Sequence, residues 1–110
     1  MISDEGITKL CTVLSTANNV TELDVSDNNI RIDGAFSLAD LLKSNRSINV
    51  LNIIDNPIDT PGVMQLNDAI KLNTSIQACY VGVDSVGPEG LMDLCTDEDG
   101  PLYDSRLIVM

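Results

Sequence analysis

The sequence predicts an α/β solenoid: a right-handed β-α superhelix with short parallel strands on its concave face and helices on its convex face. A strand-like stretch starts at Val20, at Ile48 and at Ile76, so each start lies 28 residues after the one before. Glycine recurs with the same spacing, at positions 6, 34, 62 and 90, and amphipathic helical patterns follow it. A fixed period with matching internal spacing is typical of stacked repeats.

Each strand stretch carries apolar residues at its first, fourth, sixth and eleventh places. The fourth and sixth are the predicted core positions: Leu23 and Val25, Leu51 and Ile53, Cys79 and Val81. A strand this short cannot bury its own apolar face, so the units must stack into one parallel sheet with the helices outside. Burial of each Leu or Ile stabilises the stack by about 1.5–3 kcal/mol.

The helical segments show apolar residues at i, i+3 and i+4, as in an amphipathic helix. The sequence predicts that the helices end near Asn18, Asn45 and Asn73. The N-glycosylation acceptor pattern is also matched by Asn19-Val20-Thr21, Asn45-Arg46-Ser47 and Asn73-Thr74-Ser75. Because they recur with the repeat, we interpret them as parts of a structural turn.

The 110 residues form one predicted domain. Its parts are a partial repeat 1–19, repeats 20–47, 48–75 and 76–103, and a terminal strand 105–110. Asp97 and Glu98 stand where a fourth helix would need apolar residues, so a loop is expected to lead into that strand. Two interpretations fit the ends: part of a longer solenoid, which we favour, or a small protein whose last strand pairs with another chain.

Composition excludes several functional classes. The chain has 17 acidic and 6 basic residues and a net charge of −11, which disfavours nucleic acid and anionic membranes and favours a basic partner or simple solubility. No apolar run is long enough to span a membrane. Three cysteines at core positions indicate reduced thiols in a cytoplasmic or nuclear protein. Without histidine or paired cysteine spacing, we expect no catalytic site, metal or cofactor.

The pattern resembles the leucine-rich repeat in its ribonuclease-inhibitor-like form, over about residues 2 to 95. In that family an asparagine of the turn bonds backbone groups and stacks into a ladder, and Asn28 and Asn56 match that position. Asp84 departs from it, because an ionised carboxylate accepts hydrogen bonds but cannot donate them.

The resemblance implies an intracellular protein-interaction scaffold that is not an enzyme. Two alternatives come from relatives within the family. The stretch from Leu51 to Ile76 is similar to the capping domain of tropomodulin-type actin regulators. The Ran GTPase-activating protein acts on a partner's nucleotide site, but its arginine motif has no match here.

Alternate strand residues that do not face the helices are expected to line the concave face. The candidate binding residues on this face are Glu22, Asp24, Val50, Asn52, Ile54, Tyr80, Ile108 and Met110. The first strand gives an acidic corner, and the later strands give an apolar strip. We hypothesise that a basic and apolar peptide or protein surface docks there. Alternatively, a continuation of the solenoid covers Ile108 and Met110, and Ile54 simply reflects strand propensity.

Overall fold

Helices and short strands alternate along the chain. The computed structural model describes residues 2–16, 19–82 and 105–110. Within them the elements are α1 (Asp4–Leu14), β1 (Glu22–Asp24), α2 (Ile32–Ser44), β2 (Val50–Asn52), α3 (Asp59–Leu72), β3 (Ala78–Val81) and β4 (Leu107–Val109). The predictions for Asp84, Cys95 and the loop before the last strand lie outside the described residues.

The strands form one parallel sheet in the order β1-β2-β3-β4. The register places Leu23 opposite Leu51, Leu51 opposite Cys79, and Cys79 opposite Leu107. Every pair of the described ladders therefore joins residues one repeat apart, without a slip. This confirms the predicted architecture of parallel strands alternating with helices.

The core between the sheet and the helices is aliphatic. Leu51 and Ile53 from the sheet and Leu38, Leu66 and Ile70 from the helices are at most 1% exposed. They belong to one buried cluster that runs from Ile7 in α1 to Leu107 in β4. Because neighbouring units share this cluster, each unit depends on the next for its burial.

Two glycines lie where helix starts approach their neighbours closely. A Cβ on Gly34 would lie 2.7 Å from Ile30 Cγ2 and 2.8 Å from Ile7 Cγ2. A Cβ on Gly62 would lie 2.6 Å from Ile58 Cγ2. Real Cβ atoms do not approach this closely, so the recurring glycine reflects tight packing at the first turn of each helix.

The terminal strand is shorter than the predicted range 105–110, but backbone pairing extends beyond it. The Cys79 N–H donates to the Arg106 carbonyl at 2.8 Å, and the Met110 N–H donates to the Val81 carbonyl at 2.9 Å. The chain from 106 to 110 therefore follows β3 along its whole length.

Ion pairs contribute little to the contact between units. Within the described ranges they are Lys9–Glu5 at 3.4 Å and Lys43–Asp40 at 3.7 Å, each inside one helix and largely exposed. Exposed pairs of this kind stabilise by at most about 1 kcal/mol. Over the same ranges, every helix is too short or too polar to cross a membrane.

Candidate functional site

The candidate site is the side of the sheet turned away from the helices, which we call the strand face. Along β2 the central Leu51 is buried, whereas Val50 and Asn52 on either side of it are half-buried. The register joins these alternate residues into two rows across the sheet. The rows are Glu22, Val50 and Ala78, and Asp24, Asn52, Tyr80 and Ile108. Six of the eight predicted binding residues thus lie in these two rows, each beside another predicted residue on the adjacent strand.

The two remaining predicted residues, Ile54 and Met110, lie just beyond the ends of β2 and β4. Ile54 is half-buried, and its carbonyl accepts the Asp27 N–H at 2.9 Å. Met110 is 64% exposed. Both residues therefore lie at the end of the sheet where the strands finish, next to the strand face.

The charged end of the strand face lies on β1, where Glu22 and Asp24 are exposed. Asp24 Oδ1 accepts the Ser26 hydroxyl at 2.6 Å and the Ser26 N–H at 3.0 Å. These bonds lower the pKa of Asp24 below its ordinary value of 3.8, because they stabilise the charged form.

Asn52 makes the same turn in β2, with its Oδ1 accepting the Ile54 N–H at 3.1 Å. The next residue in that row is Tyr80, and Ile108 follows it. The row thus changes from an anion through a neutral amide to aromatic and aliphatic groups.

The turns after β1 and β2 contain the asparagines that the sequence matched to a ladder. Asn56 is 3% exposed; its Oδ1 accepts the Ile30 N–H at 3.0 Å, and its Nδ2 donates to Val25 O at 3.0 Å. Asn28 Nδ2 donates to the same Val25 carbonyl at 2.9 Å. The shared acceptor joins two successive units through their side-chain amides.

A second row of asparagines lies at the helix ends, and the sequence analysis did not recognise it as a link between units. Asn73 Nδ2 donates to Leu42 O at 2.6 Å and to Asn45 O at 2.9 Å, both in the preceding unit. Asn45 Nδ2 reaches Leu14 O at 3.5 Å in the same way. The signal was present, because Asn45 and Asn73 are 28 residues apart.

These asparagines also explain the glycosylation-like patterns. Asn45 Oδ1 accepts the N–H groups of Ser47 and Ile48, both at 2.8 Å. Asn73 Oδ1 accepts those of Ser75 and Ile76, both at 2.7 Å. Each asparagine is thus buried in its own turn, which an attached glycan would disrupt.

A groove of about 280 Å³ lies between α1 and α2. Its walls carry hydroxyls of Thr8, Thr12 and Ser37, and Cys11 lines it. Burial, with a smaller effect of Asp40, raises the pKa of Cys11 to about 11. The thiol is therefore protonated near neutral pH and is a poor nucleophile.

The other described cysteine, Cys79, is free and buried within β3, and burial raises its pKa to about 12. Among the residues that the structure describes, no group of three or more acidic or cysteine side chains could hold a metal ion.

Comparison with known proteins finds a match to a family model and matches to solved structures. The Leucine Rich repeat family model matches residues 16–39, a range that contains β1, Asn28 and the start of α2. The chain has no significant match among curated proteins.

Among solved structures, 28 chains match the fold. One is the Leiomodin-1 Actin-Binding Site 2, with a TM-score of 0.74 and 20% sequence identity. The match covers 84% of this chain and 54% of that chain, so this chain spans about half the length of that neighbour. The chain therefore carries a leucine-rich repeat, and its parallel strands and helices form a fold of the leucine-rich-repeat type.

Proposed function

We propose that this protein binds a protein partner through its strand face and performs no catalysis of its own. The observation that carries the proposal is the row Asp24, Asn52, Tyr80 and Ile108, where an anchored carboxylate leads into accessible aromatic and aliphatic side chains. Repeat folds commonly use their extended sheet surface for binding, and aromatic anchors dominate the energy of such interfaces.

The chemistry of the surface favours a partner that is both basic and apolar. Glu22 and Asp24 offer two exposed charges on β1, and the chain has a net charge of −11. Val50, Tyr80 and Ile108 offer an apolar contact beside them. Charge would steer the partner and set its orientation, and the apolar part would supply most of the affinity. The buried free thiols support a reducing compartment, the cytoplasm or the nucleus.

The experiment immobilises the wild-type protein and two variants and compares the partner proteins that each retains from a cell lysate. Ile54→Ser combined with Tyr80→Ala removes apolar contact from the strand face. Phe36→Ala is the matched control, because Phe36 is 39% exposed and lies on α2, away from that face. The proposal is supported by a partner protein that the wild type and the control retain and the double variant does not. Circular dichroism checks that the double variant is folded. Unchanged retention by the double variant would overturn the proposal.

A second candidate is an actin-regulating role, and the fold match to the Leiomodin-1 Actin-Binding Site 2 favours it. Purified monomeric actin is the probe. We expect saturable binding in sedimentation velocity and slower pointed-end elongation, both weakened by the Ile54→Ser, Tyr80→Ala double variant. Absence of binding removes actin as the partner. Stimulated GTP hydrolysis by a small GTPase would instead favour the GTPase-activating alternative.

Self-association through residues 105–110 is a further proposal about partners. Within the described residues β4 ends the sheet, and Ile108, Val109 and Met110 there are apolar and partly or fully exposed. An apolar strand edge favours pairing with another chain. Sedimentation equilibrium should show a dimer at high protein concentration that Ile108→Lys abolishes. A monomer at every concentration would rule this out.

A further inference from the structure

The row of bonds at the helix ends continues past Asn73. In the preceding units, an asparagine Nδ2 donates to the carbonyl of Leu14 and then to the carbonyls of Leu42 and Asn45. One repeat later the equivalent carbonyls belong to Ile70 and Asn73. Both accept hydrogen bonds from the guanidinium of Arg106, through Nη2 to Ile70 O and through Nη1 to Asn73 O at 2.7 Å.

The sequence explains why an arginine is needed there. The residue one repeat after Asn73 is Pro101, and a proline side chain has no hydrogen-bond donor. The last carbonyls of α3 receive from Arg106 the kind of donor that the earlier helix ends receive from asparagine. A guanidinium has five N–H groups in a planar fork, and its positive charge suits the negative end of a helix dipole. Its Nη1 also donates to Ile76 O at 3.2 Å.

We infer that Arg106 takes the place of the asparagine that a further repeat would supply, and that it thereby fixes β4 onto the array. Arg106 is the residue immediately before β4, so its side chain ties the strand to the end of α3. It is a positioning residue for Ile108, the last member of the strand-face row. For binding, this role rests on the proposed function of that face.

Arg46 also lies at a helix end, but it does not join distant elements as Arg106 does. Its Nη1 donates to Lys43 O at 3.2 Å and to Asn45 O at 3.0 Å, three residues and one residue away in the chain. The acceptors of Arg106 are 30, 33 and 36 residues away. Arg46 therefore stabilises only its own turn, whereas Arg106 joins distant elements.

Native-state hydrogen exchange of the free protein tests the inference in Arg106→Met, which keeps the apolar stem and removes every donor. Three amides report on it: those of Cys79 and Met110 pair β3 with β4, and that of Val25 pairs β1 with β2. We expect the Cys79 and Met110 amides to exchange about tenfold faster or more, because charge-assisted bonds that hold β4 are lost. The Val25 amide should exchange at its wild-type rate.

Arg46→Met is the matched control and should leave the exchange of Cys79 and Met110 unchanged. Arg106→Lys keeps the charge without the fork and should give intermediate rates. The inference is overturned if the Cys79 and Met110 amides stay protected in Arg106→Met, or if the Val25 amide loses protection equally. It is also overturned if Arg106→Lys exchanges at wild-type rates. None of these measurements uses a partner, so failure of the binding proposal would leave their outcome unaffected.

Discussion

Leu23 and Leu51 occupy equivalent places in β1 and β2, yet Leu51 is 1% exposed whereas Leu23 is only half-buried. The same contrast holds one turn later, where Asn56 is 3% exposed and Asn28 is half-buried. The residue types and their local turns are alike. The difference is that β2 has a strand on both sides, whereas β1 has one neighbour among the described residues.

The contrast shows that a residue's contribution to stability is set by the number of flanking units. Asn28 Oδ1 accepts the Ile2 N–H at 2.8 Å, just as Asn56 Oδ1 accepts the Ile30 N–H at 3.0 Å one repeat later. Asn56 follows β2, which has β1 on one side and β3 on the other. In a linear array, stability is approximately a sum of contacts between neighbours, and equal residues need not have equal effects.

The largest expected effect comes from removing the two turn asparagines in separate variants. Asn56→Ala leaves the buried Ile30 N–H without its acceptor and the Val25 carbonyl with one donor fewer. We expect the free energy of unfolding to fall by about 3 kcal/mol, against about 1 kcal/mol for Asn28→Ala. Urea denaturation measures both. Equal losses would contradict the dependence on flanking units.

The helix-end asparagines give a second pair of variants. Aspartate retains the oxygen that accepts from the turn but cannot donate when ionised. Asn73→Asp loses bonds of 2.6 and 2.9 Å to the preceding unit, whereas Asn45→Asp loses one of 3.5 Å. We expect losses of about 2 and about 0.5 kcal/mol, respectively. A larger loss for Asn45→Asp in thermal or urea unfolding would reverse the comparison.

The two described thiols should differ in both pH response and reactivity. The folded-state pKa values, about 12 for Cys79 and about 11 for Cys11, lie above the ordinary 9.0. Stability is therefore retained below pH 9 and falls as pH rises from 9 toward these values, by about 1 kcal/mol for Cys79 at pH 10 and by less for Cys11. Urea unfolding of Cys79→Ala should show a shallower decline.

At pH 8 the folded protein offers less thiolate at Cys79 than at Cys11, because Cys79 is the more deeply buried of the two. Peptide mapping after brief treatment with a small thiol reagent should find Cys11 modified before Cys79. Faster modification of Cys79 would show that β3 opens more readily than α1, contrary to its interior place.

The smallest expected effect concerns Asp24 and its neutral equivalent, Asn52. An NMR titration should give Asp24 a pKa below 3.8, and Ser26→Ala should raise it toward that value. Because the pKa is lowered, the stabilising contribution is present above pH 3.8 and is lost as pH falls through the folded value. Asp24→Asn should keep the turn, since Asn52 makes it with an amide. An unshifted pKa would contradict the hydrogen bonds.

The fold was predictable from the sequence because its determinants are local and periodic. Leu23, Leu51, Cys79 and Leu107 are spaced one repeat apart, and a parallel sheet stacked at that spacing can pair them in only one register. Gly34 and Gly62 marked the helix starts for the same reason, since the same close contact recurs.

For the strand face, the sequence predicted which residues share a row but not how exposed each one is. Alternation along the strands placed Asp24, Asn52 and Tyr80 in one row, but the exposure of each depends on neighbouring strands and not on its own segment. The role of Arg106 had no periodic signal at all. It replaces an asparagine by a side chain from a different place in the chain, and its acceptors become visible only when the helix ends are stacked.

The ion pairs within single helices have a consequence for the behaviour of this molecule in salt. Because the units from α1 to α3 stack through aliphatic contact and hydrogen bonds, and the ion pairs of the described ranges lie within single helices, ionic strength has little attraction between these units to weaken. What it does screen is repulsion within a chain of 17 acidic and 6 basic residues. Moderate salt should therefore tighten the stack of α1, α2 and α3, whereas a repeat protein held together by ion pairs between its units would loosen.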